Sequence, residues 1–178
     1  MMRTLTDHLT HYATYHRDRR NIVTHFVGIP MIVVAVSTLL ARPVFEVAGM
    51  PLSPAAIYSA LVALFYLRLD LRFGLAMTVV LGISLAIGQW LGAQDTGVWL
   101  GWGLGLFVAG WIIQFIGHYY EGRKPAFADD LFGLVVGVGV VFLLAEAAFA
   151  FGMRRELQRT IEATAGATLI RDLALKQG

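Results

Sequence analysis

The chain has 178 residues, of which 57% are hydrophobic and only 15% are charged. Its mean hydropathy of +0.67 is higher than a soluble domain of this size needs for one core. The absence of cysteine excludes thiolate-bound haem, iron–sulfur clusters, disulfides and cysteine zinc sites. The net charge is only +2, and the basic residues are spread over several loops instead of forming one patch, so nucleic-acid binding has no support. We therefore expect a multi-pass membrane protein.

The chain begins with a polar segment and continues with five apolar runs. Residues 1–20 carry arginines and histidines without a continuous apolar stretch, so they predict an interfacial helix rather than a cleavable signal peptide. Each apolar run is close to the roughly 20 residues that cross a bilayer. The runs occupy residues 22–41, 52–69, 73–91, 98–116 and 131–151. We predict an all-α integral membrane protein in which residues 1–153 form a single membrane-embedded domain.

Glycines within the apolar runs recur at four-residue spacing. Gly88 with Gly92 and Gly101 with Gly105 are two such pairs, and small residues at this spacing let membrane helices approach closely. The Gly-x-Gly-x-Gly sequence that begins at Gly101 follows no predicted strand, so it does not indicate a nucleotide site.

Residues 154–178 form a predicted C-terminal tail. Apolar residues recur there at every fourth position from Leu157 to Leu173, among Arg, Glu and Gln. This pattern predicts an amphipathic helix that lies on the membrane surface or on a partner.

The distribution of Lys and Arg predicts how the runs cross the membrane, because these residues concentrate in cytoplasmic loops. If the first four runs cross and the fifth dips in and returns, every Lys and Arg except Arg42 lies on the cytoplasmic side. The glycines and Glu146 of the fifth run also suit a segment buried among other helices. We predict four transmembrane helices plus a re-entrant fifth segment, with a fifth full crossing as the alternative. The membrane would be the bacterial inner membrane, or the endoplasmic reticulum in a eukaryote.

The first candidate functional stretch surrounds the start of the first run and contains His16 and His25. They are nine positions apart, which places them on opposite sides of a continuous helix at about 100° per residue. They can reach one metal ion only if the helix is interrupted between them. The polar segment Arg17–Asn21 suits such a break, with Asn21 predicted as the N-cap of the first membrane helix.

The second stretch lies at the end of the fourth run. Gln114, His118 and Glu121 are spaced by four and three positions, which directs an amide, an imidazole and a carboxylate to one face of a helix. The predicted topology brings both stretches to the cytoplasmic face, and ionisable groups at such a boundary are usually functional. We predict that His16, His25 and His118 form a metal site.

Several other polar residues are predicted to support the metal ligands of this site. Three are predicted to support the ligands: Asn21, Gln114 and Glu146. For Glu146, a hydrogen bond that locks two helices together is an equal alternative. Glu121 is predicted to be catalytic together with the three histidines, and the sequence leaves open whether Glu121 or the third histidine completes the set of metal ligands. His8 and His11 lie outside both stretches and are interpreted as interfacial anchors.

Each stretch also matches a longer motif. The first reads Tyr-His, then Asn, His, Gly and Pro, at Tyr15, His16, Asn21, His25, Gly28 and Pro30. The second reads Gln-x-x-Gly-His-x-x-Glu-Gly-Arg-x-Pro-Ala over residues 114–126. Together these motifs resemble the Mpo1-like family, and the layout of apolar runs extends the resemblance over most of residues 4–160. The resemblance implies a membrane-resident Fe(II) dioxygenase that shortens long-chain 2-hydroxy fatty acids by one carbon through α-oxidation.

The implied chemistry suits the residues present. A ferrous ion held by imidazoles leaves positions for dioxygen and for a 2-hydroxy acid bound through its carboxylate and hydroxyl. Arg123 and Lys124 are predicted to bind substrate by offsetting its negative charge. The reaction of R-CHOH-COOH with O2 to give R-COOH, CO2 and H2O balances without a further reductant. No 2-oxoglutarate or flavin site is therefore expected, and the acyl chain would enter from the lipid bilayer.

Two alternatives stay open on the sequence alone. One is a di-iron lipid hydroxylase, although five histidines in total are few for that class. The other is a non-catalytic membrane scaffold or small transporter, in which Glu146 and the histidines form a buried polar network. A homo-oligomer is compatible with each of these possibilities.

Overall fold

A computed structural model describes residues 3–171 and is helical through most of its length. Eight α-helices are present in that range, together with a two-stranded antiparallel hairpin and a short 3-10 helix at Ala126–Ala128. In chain order the α-helices are α1 Leu5–Ala13, α2 Arg19–Leu39, α3 Pro54–Leu69, α4 Leu71–Gly92, α5 Thr96–Glu121, α6 Leu131–Val135, α7 Val138–Ala150 and α8 Arg155–Ala165. The hairpin strands are β1 Phe45–Val47 and β2 Met50–Leu52. The predicted helical fold is confirmed, with the hairpin as an addition.

Three of these helices are long and apolar enough to cross a membrane, namely α2, α4 and α5. Large apolar side chains on them are more than half exposed, including Val79, Leu104 and Ile112, as expected where lipid rather than water is the solvent. The helix formed by the second apolar run, α3, has 16 residues and is about 24 Å long, shorter than a hydrocarbon core of about 30 Å. The fourth crossing thus stays a prediction.

The fifth apolar run is broken into two helices. Gly137 has φ +69°, in the left-handed region that glycine adopts without steric cost, and it separates α6 from α7. The Asp130 carboxylate caps α6 by accepting a hydrogen bond from the Gly133 backbone N–H at 2.9 Å. Neither helix has the length of a crossing, and the path of this segment relative to the membrane stays a prediction.

The described chain divides into two compact units, and the first comprises residues 3–27 and 112–171. Here α1 starts with a capping box between Thr4 and Asp7 and buries Leu5 and Leu9 where it packs against α7 and α8.

The C-terminal tail in this unit is helical only as far as Ala165. Gly166 has φ +84°, and Leu169 forms a parallel β-bridge with Asp18. The predicted continuous amphipathic helix is therefore wrong beyond α8, and residues 172–178 of that predicted tail lie outside the described range.

The second unit comprises Gly28–Trp111. Its helices α3 and α4 pack against each other across a turn at Asp70, whose carboxylate caps α4 by accepting the backbone N–H groups of Arg72 and Phe73. From the sequence alone, Asp70 between Arg68 and Arg72 is predicted to form an ion pair in the loop. The structure also gives it the role of a cap, which satisfies helix donors that would otherwise lack partners.

Glycines set the closest helix contacts in the second unit. A Cβ at Gly88 would collide with Ser37, and one at Gly103 would collide with Leu39, so these positions let α4 and α5 approach α2. By contrast, apart from the adjacent backbone of α5 itself, no atom of the described residues lies within 4 Å of the Cβ positions of Gly101 and Gly105. The pair Gly88 and Gly92 was predicted correctly, whereas Gly101 and Gly105 do not mediate a contact among the described residues.

Candidate metal centre

Three histidines meet inside the first unit, and we call His16, His25 and His118 the histidine cluster. Each offers one ring nitrogen, and these atoms all lie within 4.8 Å of one another. His16 lies in the turn between α1 and α2, His25 lies in the second turn of α2, and His118 lies in the last turn of α5. All three side chains are buried. The predicted break between His16 and His25 is present, because α2 begins only at Arg19.

The hydrogen bonds of two cluster histidines fix which ring nitrogen is free. His16 Nδ1 lies 2.7 Å from the Tyr12 carbonyl oxygen, and His25 Nδ1 lies 2.8 Å from the Asn21 carbonyl oxygen. A carbonyl can only accept, so both Nδ1 atoms carry hydrogen and both neutral rings present a lone pair at Nε2. This assignment is inferred from the bonding pattern, as for any histidine tautomer whose hydrogens are not observed.

These two lone pairs face each other. The Nε2 atoms of His16 and His25 are only 3.0 Å apart, an arrangement that is repulsive unless a cation lies between them. Two nitrogens each about 2.1 Å from one metal ion and at a right angle would be about 3.0 Å apart. The donor set therefore fits a divalent metal ion bound by neutral imidazoles.

The surroundings of His16 keep its ring in the metal-binding form. Burial lowers the pKa of His16 well below its ordinary value, and the neighbouring His25 and His118 lower it further. The Tyr12 ring stacks on the His16 ring, with centroids 4.0 Å apart and an interplanar angle of 6°. A ring that is neutral and held in one orientation can coordinate a metal without first losing a proton.

Glu121 lies beside the cluster and binds the turn that carries His16. Its Oε2 atom accepts hydrogen bonds from the backbone N–H groups of Arg17 at 2.9 Å and Asp18 at 2.7 Å, and from Asn21 Nδ2 at 3.1 Å. Its Oε1 atom lies 2.9 Å from a guanidinium nitrogen of Arg171. Glu121 is not in the group of described residues whose ligand atoms lie within 4.8 Å of one another. Its Oε1 atom is within ion-pair distance of Arg171 but accepts no hydrogen bond within residues 3–171.

Asn21 is placed differently from its predicted role as a helix cap. It lies within the first turn of α2, while the Asp18 carboxylate accepts the backbone N–H of Arg20 at 2.9 Å. The N-cap prediction for Asn21 is therefore wrong, because the acid three positions earlier satisfies the free donors of this helix. The Asn21 side chain bonds to Glu121 and its carbonyl orients His25, so it contacts residues of the site directly.

Burial alone would raise the pKa of the Asp18 carboxyl. Hydrogen bonds from the Arg20 side chain and from the backbone N–H groups of Arg171 and Arg20 outweigh that effect and hold this pKa at about 2. Asp18 is thus ionised at neutral pH, and its charge helps to fix the turn next to His16.

The close approach of α5 to α2 at this site depends on Gly117. A Cβ there would lie closer than 3.0 Å to both Thr24 Oγ1 and Asn21 Oδ1. Gly117 is adjacent in sequence to His118, and Thr24 is adjacent to His25. The absent side chain therefore sets the separation of two cluster histidines.

The remaining predicted supporting residues also lie in the first unit. Gln114 is buried one turn before His118 on α5, and its Oε1 atom has no hydrogen-bond partner within residues 3–171. Glu146 on α7 accepts a hydrogen bond at 3.0 Å from the Arg17 guanidinium, and Arg17 Nε in turn donates to the His16 carbonyl oxygen at 2.8 Å. Glu146 therefore contacts the His16 turn through Arg17.

The two residues predicted to bind substrate are exposed. Arg123 Nη1 donates to the Thr14 carbonyl oxygen at 2.8 Å, two positions before His16. Lys124 Nζ pairs with Asp129 at 2.6 Å, which neutralises much of its charge. Their positions differ accordingly: Arg123 is attached to the turn that carries His16, and Lys124 to the loop after α5.

Sequence reasoning missed four participants in this site: Tyr12, Arg17, Asp18 and Arg171. The position of Arg17 and Asp18 between two histidines was compatible with a buried ion pair for Arg17 and with a helix cap for Asp18. Arg171 gave no signal, because it is about 50 residues after Glu121 and in a different element.

The fold and the site together define a class: a helical protein that has three helices long and apolar enough to cross a membrane and a buried three-histidine cluster able to hold a metal ion. The sequence pattern of a known family, described as 2-hydroxy-palmitic acid dioxygenase Mpo1-like, matches residues 2–150. The chain belongs to this Mpo1-like family, as its two histidine motifs suggested.

One curated relative is the 2-hydroxy-palmitic acid dioxygenase MPO1 of Saccharomyces cerevisiae, which is 32% identical over 175 residues. The match covers 97% of this chain and 91% of the relative. No solved structure matches the chain.

Proposed function

We propose that this protein is an Fe(II)-dependent dioxygenase that shortens 2-hydroxy fatty acids by one carbon. The observation that carries the proposal is the pair of facing Nε2 atoms of His16 and His25, 3.0 Å apart and beside His118. A cation between these two nitrogens would relieve the repulsion of their lone pairs, and the yeast relative is named as a dioxygenase of 2-hydroxy-palmitic acid. A plain hydrogen-bonded network of a scaffold or transporter would not place two acceptors against each other.

The histidine cluster would hold the iron. Bound Fe(II) would supply open positions for oxygen ligands and a redox centre between the 2-hydroxy acid and dioxygen. The Tyr12 and Asn21 carbonyls hold the His16 and His25 rings in the tautomer that keeps Nε2 available. Burial of all three rings excludes water from the ligand nitrogens.

Arg123 is the better candidate for binding the substrate carboxylate. A guanidinium has five N–H donors, so its bond to Thr14 leaves donors with which to pair a carboxylate in two-point geometry. Lys124 would contribute less, because Asp129 already compensates its charge. Gln114, with its buried amide oxygen, would support the His118 side of the site.

The overall reaction converts R-CHOH-COOH and O2 into R-COOH, CO2 and H2O. The bond between C1 and C2 breaks, the two carbons together lose four electrons, and dioxygen accepts all four. No additional reductant or co-substrate enters the balance. An acid without the 2-hydroxyl lacks the second oxygen ligand. Its conversion to the same products would release six electrons, which is two more than one O2 accepts.

The membrane arrangement is part of the proposal. Four crossings with a re-entrant fifth segment would place the histidine cluster at the cytoplasmic face of the bacterial inner membrane or the endoplasmic reticulum. A long acyl chain gains about 0.8 kcal/mol for each methylene removed from water. Substrate would therefore reach the site from the bilayer, with its carboxylate at the interface beside Arg123.

The test is conversion of 2-hydroxypalmitate labelled at C1 by the purified, iron-loaded protein in lipid nanodiscs. We expect labelled CO2 and a fifteen-carbon product, with one O2 consumed for each CO2 and no requirement for 2-oxoglutarate. Palmitate should be inert. Equal shortening of both acids, or release of no labelled CO2 by an iron-replete preparation, would overturn the proposed reaction and favour the hydroxylase or scaffold alternatives.

A further inference from the structure

The C-terminal segment after α8 returns to the turn that carries His16. We call residues 166–171 the strap. The Leu169 backbone N–H donates to the Arg17 carbonyl at 2.9 Å, and the Arg19 backbone N–H donates to the Leu169 carbonyl at 2.8 Å. These two bonds form the parallel bridge between Leu169 and Asp18. The strap therefore pairs with the segment between two cluster histidines.

Arg171 adds side-chain and backbone contacts at the end of the strap. Its backbone N–H donates to Asp18 Oδ2 at 2.8 Å, and its carbonyl accepts from Arg20 Nη2 at 2.7 Å. Its guanidinium lies 2.9 Å from Glu121 Oε1, and that carboxylate is fully buried. The positive charge of Arg171 thus compensates a buried negative charge.

Glu121 transmits this contact to the histidine cluster. Its other oxygen accepts the backbone N–H groups of Arg17 and Asp18, which directly follow His16. It also accepts from the Asn21 side chain, whose backbone carbonyl orients His25. A carboxylate left unpaired in a buried position is strongly destabilised, so loss of Arg171 would disturb the groups that hold both rings.

We propose that the strap is a positioning element of the metal centre and that Arg171 is a positioning residue acting through Glu121. This inference rests on the histidine cluster being the metal site of the proposed function. Without the strap, the turn at His16 loses its backbone pairing and the Glu121 carboxylate loses its cation. His16 would then move out of its buried position, and the cluster would bind metal more weakly.

The experiment compares full-length protein with four variants in nanodiscs: Arg171→Ala, Arg171→Lys, a chain ending at Ala165, and the control Ile170→Ala. Ile170 lies in the strap, but its side chain is 65% exposed. The first readout is the affinity for Co(II), measured by its visible absorption. The second is the rate at which diethylpyrocarbonate modifies His16 in the metal-free protein, relative to the half-exposed His11 in the same tryptic peptide.

We expect Arg171→Ala to weaken Co(II) binding about 10- to 100-fold, the usual effect of removing a group that supports a metal ligand. Truncation should weaken it at least as much, Arg171→Lys should give an intermediate affinity, and Ile170→Ala should match the full-length protein. His16 modification should accelerate in the same order while His11 does not change. If the truncated chain fails to fold, the two Arg171 variants, which keep the backbone pairing, still test whether Arg171 positions the metal centre.

Two outcomes separate this inference from the proposed function. Failure of the full-length protein to bind Co(II) or Fe(II) would overturn the metal centre, and with it the role of the strap in metal binding. Faster His16 modification in the Arg171 variants would then show only that Arg171 positions the His16 ring. If the full-length protein binds metal normally and both readouts are unchanged in Arg171→Ala and in the truncated chain, the proposed role of the strap is refuted. The proposed metal centre would not be affected by that result.

Discussion

Replacing Gly117 by alanine should damage the metal centre although the residue has no functional group. The new Cβ would lie closer than 3.0 Å to Thr24 Oγ1 and Asn21 Oδ1, and 3.3 Å from Asn21 Cα. Ordinary van der Waals contacts of a Cβ begin at about 3.4 Å, so both side chains or the two helices must move. Thr24 cannot rotate freely, because its hydroxyl donates to the Asn21 carbonyl at 2.7 Å.

The cost follows from these contacts. Overpacking of this kind typically costs about 1–3 kcal/mol, and loss of the Thr24 hydrogen bond adds about 1 kcal/mol. Moving α5 away from α2 relieves the clash but separates His118 from His25. We expect Gly117→Ala to lower the free energy of unfolding by about 2–4 kcal/mol and to weaken metal binding at least tenfold, since small displacements of ligands have large effects.

Gly105→Ala is the matched control on the same helix, because no described atom outside the adjacent α5 backbone lies within 4 Å of its Cβ position. It should leave metal affinity unchanged and stabilise α5 by up to about 1 kcal/mol through helix propensity. Thermal unfolding in detergent and Co(II) titration would measure both variants. If Gly117→Ala behaves like Gly105→Ala in both assays, the glycine does not set the separation of the histidines and the reasoning is refuted.

Three further predictions concern the ligands, the charge at the turn and the topology. Alanine at any cluster histidine should abolish stoichiometric iron binding, whereas His8→Ala and His11→Ala should retain it; metal analysis of variants that still insert checks this. The folded-state pKa of Asp18, about 2, lies below its ordinary value of 3.8, so its carboxylate stabilises the fold above about pH 4 and this contribution disappears as the pH falls toward 2. Asp18→Asn should therefore lower the unfolding temperature at pH 7 and have little effect near pH 2; an equal loss at both would contradict the electrostatic explanation. Reporters fused after Arg20 and at the C-terminus should both report the cytoplasm, and an exported C-terminus would exclude the re-entrant fifth segment.

Much of the histidine cluster could be predicted because its determinants are local. The spacing of Gln114, His118 and Glu121 fixes their common helix face, and the polar segment after His16 marks the break before α2. The positions of the helices follow from the apolar runs, since runs of that length have few other stable forms. These features require no knowledge of distant contacts.

The errors arise where a distant contact decides the structure. The choice between Gly101 and Gly103 as the contact residue depends on how α5 is rotated toward α2, and both glycines fit a small-residue pattern. The strap contacts residues about 150 positions earlier in the chain. A prediction made from the apolar repeat alone could not include these contacts and therefore extended the tail helix too far. The cap at Asp18 displaced Asn21 because several polar residues there could serve as caps.

The most direct test of the account is X-ray absorption at the iron edge of the Fe(II)-loaded protein. The histidine cluster predicts one iron per chain, with three imidazole ligands at about 2.1 Å, a distance typical of divalent ions bound to histidine nitrogen. In the His16→Ala variant the imidazole scattering should be lost together with the iron. Iron without imidazole ligands, or the same spectrum in His16→Ala, would contradict the assignment of His16, His25 and His118 as the metal centre.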